Sequence, residues 1–198
     1  MKNLILASRN EHKIQELRET LSDLDLELKS ALDFEELGEV EEDKQTLKGN
    51  ARKKARYVFE KTGLPALADD TGLEVDALDG RPGVFSARYA GENASYDDNT
   101  DKLLAELAGV DDRNRTARFR TVVAYIDEKG GEHFFEGICR GKILKERRGD
   151  KGFGYDPVFQ PEGYEQTFAQ LDAEEKNRIS HRGRAIGELY RWLSSTLK

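Results

Sequence analysis

Apolar positions change their spacing several times along the chain, and each change predicts an element. Leu4 to Ala7 is a short apolar run that reads as a strand; Ile14, Leu17, Leu21 and Leu24 then recur at helical spacing on one face. Leu24, Leu26 and Leu28 alternate as a second strand would, and the acidic segment from Glu35 to Asp43 reads as a loop. Leu47, Ala51, Ala55, Val58 and Phe59 form the stripe of a second helix. Leu64 to Ala68 is a further strand-like run, and Asp97 to Leu107 reads as a helix through Leu103, Leu104 and Leu107. Ala117 to Ile126 and His133 to Leu144 read as two long strands joined at Gly130-Gly131, with Phe119, Thr121, Val123 and Tyr125 on one face. The last helix buries Ile186, Leu189, Tyr190, Leu193 and Leu197, with Trp192 at its edge. Helices interleaved with a long hairpin predict an α/β fold on a mixed sheet. No internal repeat or low-complexity linker divides the chain, so one domain over residues 1–198 is expected.

Composition narrows the class. The chain is 37% hydrophobic and 36% charged, no apolar run is long enough to cross a bilayer, and the apolar part of MKNLILASRN is too short for a signal peptide. A cytoplasmic protein without membrane contact is expected. The formal charge of -7 argues against bulk capture of nucleic acid, though an acidic protein can hold a polyphosphate where its cations converge and a divalent metal helps. Cys139 is the single cysteine, which excludes an internal disulfide framework and a multi-cysteine zinc site; its apolar run suits a core or interface position.

Candidate chemistry concentrates between Ala68 and Gly91. Asp69 and Asp70, followed by Thr71 and Gly72, come directly after the Leu64–Ala68 run and read as a strand end opening into a tight turn. Carboxylates held there can bind a hard cation or orient a water, and the competing reading is a solvated Asx-type turn. Asn10 is a plausible N-cap, which would gather Ser8, Asn10 and Lys13 around a helix N-terminus that favours an anion. Asn50 and Lys54 are four apart and share a helix face. Glu41 and Glu42 stand before that helix, either as partners of its dipole or as metal ligands. In GDKGFGYDPVF (Gly149 to Phe159), a glycine-rich loop presents Phe153 and Tyr155 for stacking on a flat base, with Asp156 able to accept ring N–H groups; a packed turn capping the core competes. Lys176, His181 and Arg182 follow together in EEKNRISHRGRA. With only His12 and His133 elsewhere, the pattern argues against zinc at His181 and favours a hydrogen-bonding role beside Arg182 over a plain surface position.

Read together, SRNEHK (Ser8 to Lys13), EEDKQTLKGNARKKA, ADDTGLEVDALDGRPGVFSARYAG, GFGYDPVF and EEKNRISHRGRA give the chain a resemblance, nearly end to end, to the inosine triphosphate pyrophosphatase family. That resemblance implies an elongated α/β fold with a mixed central sheet, flanking helices and an active-site cleft between two lobes, working as a homodimer. It implies Mg²⁺-dependent cleavage of ITP, dITP and XTP between the α and β phosphates, giving monophosphate and pyrophosphate and clearing deaminated purines. By motif, the phosphate turn would be Ser8, Arg9, Asn10, Glu11, His12 and Lys13, with Lys54 adding a second cation. Asp70 would be the main metal ligand and candidate base, Asp69 its neighbour, and Glu42 or Glu41 the second acidic ligand. Thr71 would contact substrate. Phe153, Gly154, Tyr155 and Asp156 would form the base platform, and Lys176, Ser180, His181 and Arg182 would read the purine's oxygen edge. Relatives often carry serine at Thr71, glycine at Arg9 or His12, and acidic residues at Lys48 and Gly49. A 6-oxo group accepts where adenine's 6-amino group donates, so a donor-lined pocket favours the former; one unpaired buried polar group costs about 1–3 kcal/mol. A regulatory nucleotide-binding module and a pyrophosphatase for modified pyrimidine nucleotides are the competing functions.

Overall fold

The computed structural model describes residues 2–196. Strand β1 (Lys2–Leu6) leads into helix α1 (Glu11–Leu21), followed by β2 (Leu26–Ser30), α2 (Leu47–Thr62), β3 (Ala66–Val75) and the short β4 (Pro82–Gly83). Then come α3 (Tyr96–Glu106), β5 (Thr116–Ile126), β6 (Glu132–Ile143), β7 (Phe159–Pro161), α4 (Ala173–Ile179) and α5 (His181–Thr196). Among the described residues the strands form one sheet in the order β2-β1-β3-β5-β6-β7, with β4 paired to β3. It is mixed, as expected: β1 runs parallel to β2 and β3, whereas β3–β4 and β6–β7 are antiparallel.

Local signals explain most boundaries. Asn10 caps α1, its side chain accepting from Lys13 N. Thr46 caps α2, which ends at Gly63 in the left-handed region, φ 68°. Leu24 falls beyond α1 but still packs, half-buried, against its core, and Leu197 lies outside the described residues. The reading of Asp69-Asp70-Thr71-Gly72 as a turn is corrected: β3 continues through all four residues to Val75. Aspartate and glycine are poor strand formers, and the override comes from burial and ion pairing of the carboxylates, which no local propensity encodes.

Among the described residues, two compact units share the chain, one of residues 2–70, 121–137 and 182–196, the other of residues 71–120 and 138–181. Each has its own apolar core. In the first, Leu4, Leu6 and Leu67 pack with Ile14, Leu17 and Leu21 of α1 and Ile186, Leu189 and Leu193 of α5. Ala51, Ala55 and Val58 of α2 pack instead with Ile5, Ala66, Ala68 and Ala124. In the second, Leu73, Leu103, Phe119, Cys139, Phe159 and Phe168 lie together, which places the single cysteine in a core.

Candidate active site

Alternation along β3 builds the centre of the first unit. Successive strand residues point to opposite faces, so Leu67 and Asp69 face α1 and α5, while Ala66, Ala68 and Asp70 face α2. Asp69, buried at 3% exposure, takes Lys13 Nζ at 3.0 Å and Arg182 Nε at 3.4 Å on one Oδ2. Arg182, at the start of α5, also donates from Nη1 to Glu16 Oε2 at 2.6 Å. On the other face, Asp70 Oδ2 accepts from Asn50 Nδ2 at 3.1 Å, and Asp70 Oδ1 lies 3.8 Å from Lys54 Nζ. The Lys54 ammonium is also paired with Glu42. The helix face shared by Asn50 and Lys54 is therefore the face applied to Asp70.

The electrostatics of the adjacent carboxylates diverge. Burial works against the Asp69 charge, but Lys13, Arg182 and Lys54 outweigh it and hold its carboxyl well below the usual range. Asp70 is pushed up to about 6, by burial first and then by Glu42, against the pull of Lys54, Lys13 and Asn50. Burial likewise disfavours the Lys54 charge, yet Asp70, Glu42 and Asp69 keep its pKa above the ordinary lysine value. Among the described residues, Lys13, Lys54 and Arg182 face Asp69, Asp70, Glu42 and Glu16, three cations against four carboxylates.

Around this centre, the turn before α1 is ordered by its own hydrogen bonds: Asn10 N donates to Ser8 Oγ at 3.2 Å and Lys13 N to Asn10 Oδ1 at 3.3 Å. The Arg9 guanidinium donates to Leu37 O, tying the acidic loop to this turn. Glu11 is exposed on the first turn of α1, and the His12 side chain lies outside the described residues. Glu42 is half-buried against Lys54, whereas Glu41 is exposed and its carbonyl accepts from Lys53 Nζ at 2.8 Å. Asn50 Oδ1 accepts from Lys44 N at 2.9 Å, so one amide fastens the Glu42 segment and Asp70 to the same turn of α2. Thr71 is half-buried at the next position of β3.

The second unit holds the aromatic loop. Gly152 and Gly154 have φ of 74° and 62°, and a Cβ on Gly152 would meet Asp156 Oδ2 at 2.1 Å, so glycine is required there. That oxygen accepts from Phe153 N at 2.9 Å and from Lys176 Nζ at 2.8 Å. Lys176 Nζ lies 5.1 Å from the centroid of Phe153, whose ring is half-buried. Tyr155 is in the core with its hydroxyl donating to Ser86 O at 2.8 Å. Ser180 caps α4, donating its N–H to Lys176 O at 2.8 Å. His181 is buried rather than on the surface, stacked on Phe119 at 4.5 Å with 13° between planes.

Two residues of the first centre are missing from the sequence reading in that role. Glu16 lies three positions after Lys13 on α1, and only the fold brings Arg182 to it. Asn50 is legible as a neighbour of Lys54 on the helix but not as a partner of Asp70.

Adjacent carboxylates engaged by lysines from different helices, on a central strand of a mixed sheet, define an α/β protein with a buried, charge-dense centre. The sequence matches the Ham1 family over residues 4–192. The dITP/XTP pyrophosphatase of Desulforamulus reducens is 52% identical over 183 residues, 92% of this chain and 91% of that protein. Its namesake in Desulfotalea psychrophila is 48% identical over 186 residues, 94% and 82% of the two chains. A HAM1 protein structure from Coxiella burnetii superposes with a TM-score of 0.92 at 42% identity, covering 98% of this chain and 100% of that one. This chain belongs to the Ham1 family.

Proposed function

We propose that the protein hydrolyses dITP, XTP and ITP to the nucleoside monophosphate and pyrophosphate, clearing deaminated purines from the nucleotide pool. The observation that carries this reading is the charge balance at β3. A centre with three cations and four carboxylates cannot by itself attract a triphosphate, but it becomes attractive once a divalent cation joins it. The relatives at about half identity, named dITP/XTP pyrophosphatases, support the substrate class.

The residues present suit Mg²⁺. Asp70 and Glu42 are hard oxygen donors converging on one ammonium, that of Lys54. Among the described residues no group of three or more His, Cys, Asp or Glu side chains is placed to hold a metal. Mg²⁺ needs none, because it takes one or two carboxylates and fills its shell with water and substrate phosphate. Asp70 and Glu42 would hold it, and when bound it supplies charge neutralisation to the phosphates. Phosphoryl-type transfer asks chiefly for position and charge. Lys13 and Lys54 supply fixed positive charge, the Asn10-capped N-terminus of α1 offers backbone N–H groups to a phosphate, and Asp70 orients the attacking water. Asp69, held ionised by Lys13 and Arg182, keeps both cations in place.

Base selection falls to the second unit. Phe153 offers a ring face, Lys176 a donor for a 6-oxo group, and Asp156 fixes both through one oxygen. Homodimeric assembly and a cytoplasmic setting belong to the same proposal, on the family resemblance; no helix among the described residues is long and apolar enough to cross a membrane. The test is pyrophosphate release from dITP, XTP, ITP, ATP and GTP, each with and without Mg²⁺, on protein sized by gel filtration. Metal-dependent release confined to the first three is expected. Equal release from ATP and GTP would refute the base preference, and no release from any of them would refute the reaction.

A further inference from the structure

Phe153 is held by more than its own loop. Tyr96, the first residue of α3, places its ring 5.8 Å from the Phe153 ring with 41° between planes, while remaining 46% exposed. A large aromatic left half in water on a helix surface gains little from its own burial, and its ordered neighbour is the ring expected to carry the base. Elsewhere on α3, Thr100 Oγ1 donates to Tyr96 O at 2.9 Å and comes within 3.4 Å of Gly154 O of that loop, while Arg147, just before the loop, pairs its Nη1 with Asp101 at 2.8 Å and donates from Nη2 to Asp97 O at 3.1 Å. Ser95 and Asp98 form a capping box that fixes where α3 starts, and hence where Tyr96 stands.

Geometry decides what Tyr96 does. A base inserted between two rings needs about two van der Waals separations of about 3.5 Å each, and 5.8 Å between tilted centroids leaves no such slot. The two rings therefore do not sandwich a ligand. From the α3 side Tyr96 braces Phe153, whose N–H donates to Asp156 Oδ2 between two flanking glycines in the left-handed region. We infer that Tyr96 is a positioning residue for purine binding, holding the Phe153 ring in the orientation that stacks on the base. The inference rests on Phe153 being the base-stacking ring.

The experiment is steady-state hydrolysis of dITP by wild type, Tyr96→Ala, Tyr96→Phe, Phe153→Ala and the Tyr96→Ala/Phe153→Ala double variant. Alanine suits a helix start, so α3 is expected to survive, with circular dichroism as the check. Expected is a KM raised about two- to tenfold in Tyr96→Ala with kcat nearly unchanged, restoration by Tyr96→Phe, and no further rise when Tyr96→Ala is added to Phe153→Ala. If Phe153→Ala raises KM but Tyr96→Ala does not, or the two effects simply multiply, the bracing role is wrong and the base-stacking reading stands. An unchanged KM in Phe153→Ala would overturn both.

Discussion

Adjacent Asp69 and Asp70 should respond to the same substitution with opposite signs of stability. Asp69 is buried between Lys13 and Arg182, and its carboxyl lies well below the usual range. Removing its charge leaves two buried cations short of a partner. Breaking a buried pair in this way costs about 3–5 kcal/mol, and because Arg182 keeps Glu16 the lower end applies, about 3 kcal/mol for Asp69→Asn. For a chain of this size that lowers Tm by roughly 6–12 °C. Asp70 is pushed up from 3.8 to about 6, so above pH 6 its charge opposes folding by up to about 3 kcal/mol. Asp70→Asn keeps an acceptor for Asn50 Nδ2 and removes that charge, so the metal-free variant should gain about 1–3 kcal/mol and several degrees while losing turnover. The pH dependences follow from the directions of the shifts. The depressed Asp69 stabilises above the unfolded carboxylate range, so its advantage over Asp69→Asn is present above about pH 4 and fades as pH falls through its folded value. The raised Asp70 destabilises above its folded value, so the gain of Asp70→Asn is full above about pH 6 and gone near pH 4. Thermal unfolding followed by circular dichroism in chelator, from pH 3 to 8, measures both. If Asp70→Asn loses as much stability at pH 7.5 as Asp69→Asn, the electrostatic division of the pair is wrong.

Further tests address the aromatic loop and Arg182. Gly152→Ala forces a Cβ to 2.1 Å from Asp156 Oδ2 at a φ of 74°, which should displace the oxygen that fixes both Phe153 and Lys176; KM for dITP is expected to rise at least about tenfold, and an unchanged KM would show that the loop does not carry the base. Arg182→Ala removes a bridge between Asp69 and Glu16, so kcat/KM should fall at least about tenfold for every nucleotide with the ITP-to-ATP ratio unchanged; a ratio moving toward one would assign Arg182 to base reading instead.

What the sequence made legible was whatever local chemistry decides. The Asn10 cap, the helical stripe through Ala51, Ala55 and Val58, and the long hairpin all depend on neighbours a few residues away, and all appear in the structure. The turn expected at Asp69-Asp70 failed for the complementary reason. Its partners Lys13, Asn50, Lys54 and Arg182 lie between 16 and 113 positions away, and only their convergence lets two aspartates and a glycine continue a buried strand. Glu41 and Glu42 were inseparable by spacing, because neither is placed until Asn50 fastens Lys44 N to α2 and leaves Glu42 against Lys54.

That β3 is a strand and not a turn at this point has a chemical consequence. A turn would present both carboxylates to one side, where two buried like charges compete and one is forced to keep its proton. A strand sends them to opposite faces, and each face is covered by different helices: α1 and α5 bring Lys13 and Arg182 to Asp69, while α2 brings Lys54 and Asn50 to Asp70. Asp69 can then stay ionised between two cations, while burial and Glu42 push the Asp70 carboxyl up against the pull of Lys54. One pair of identical side chains thus acquires two roles through the period of the strand alone.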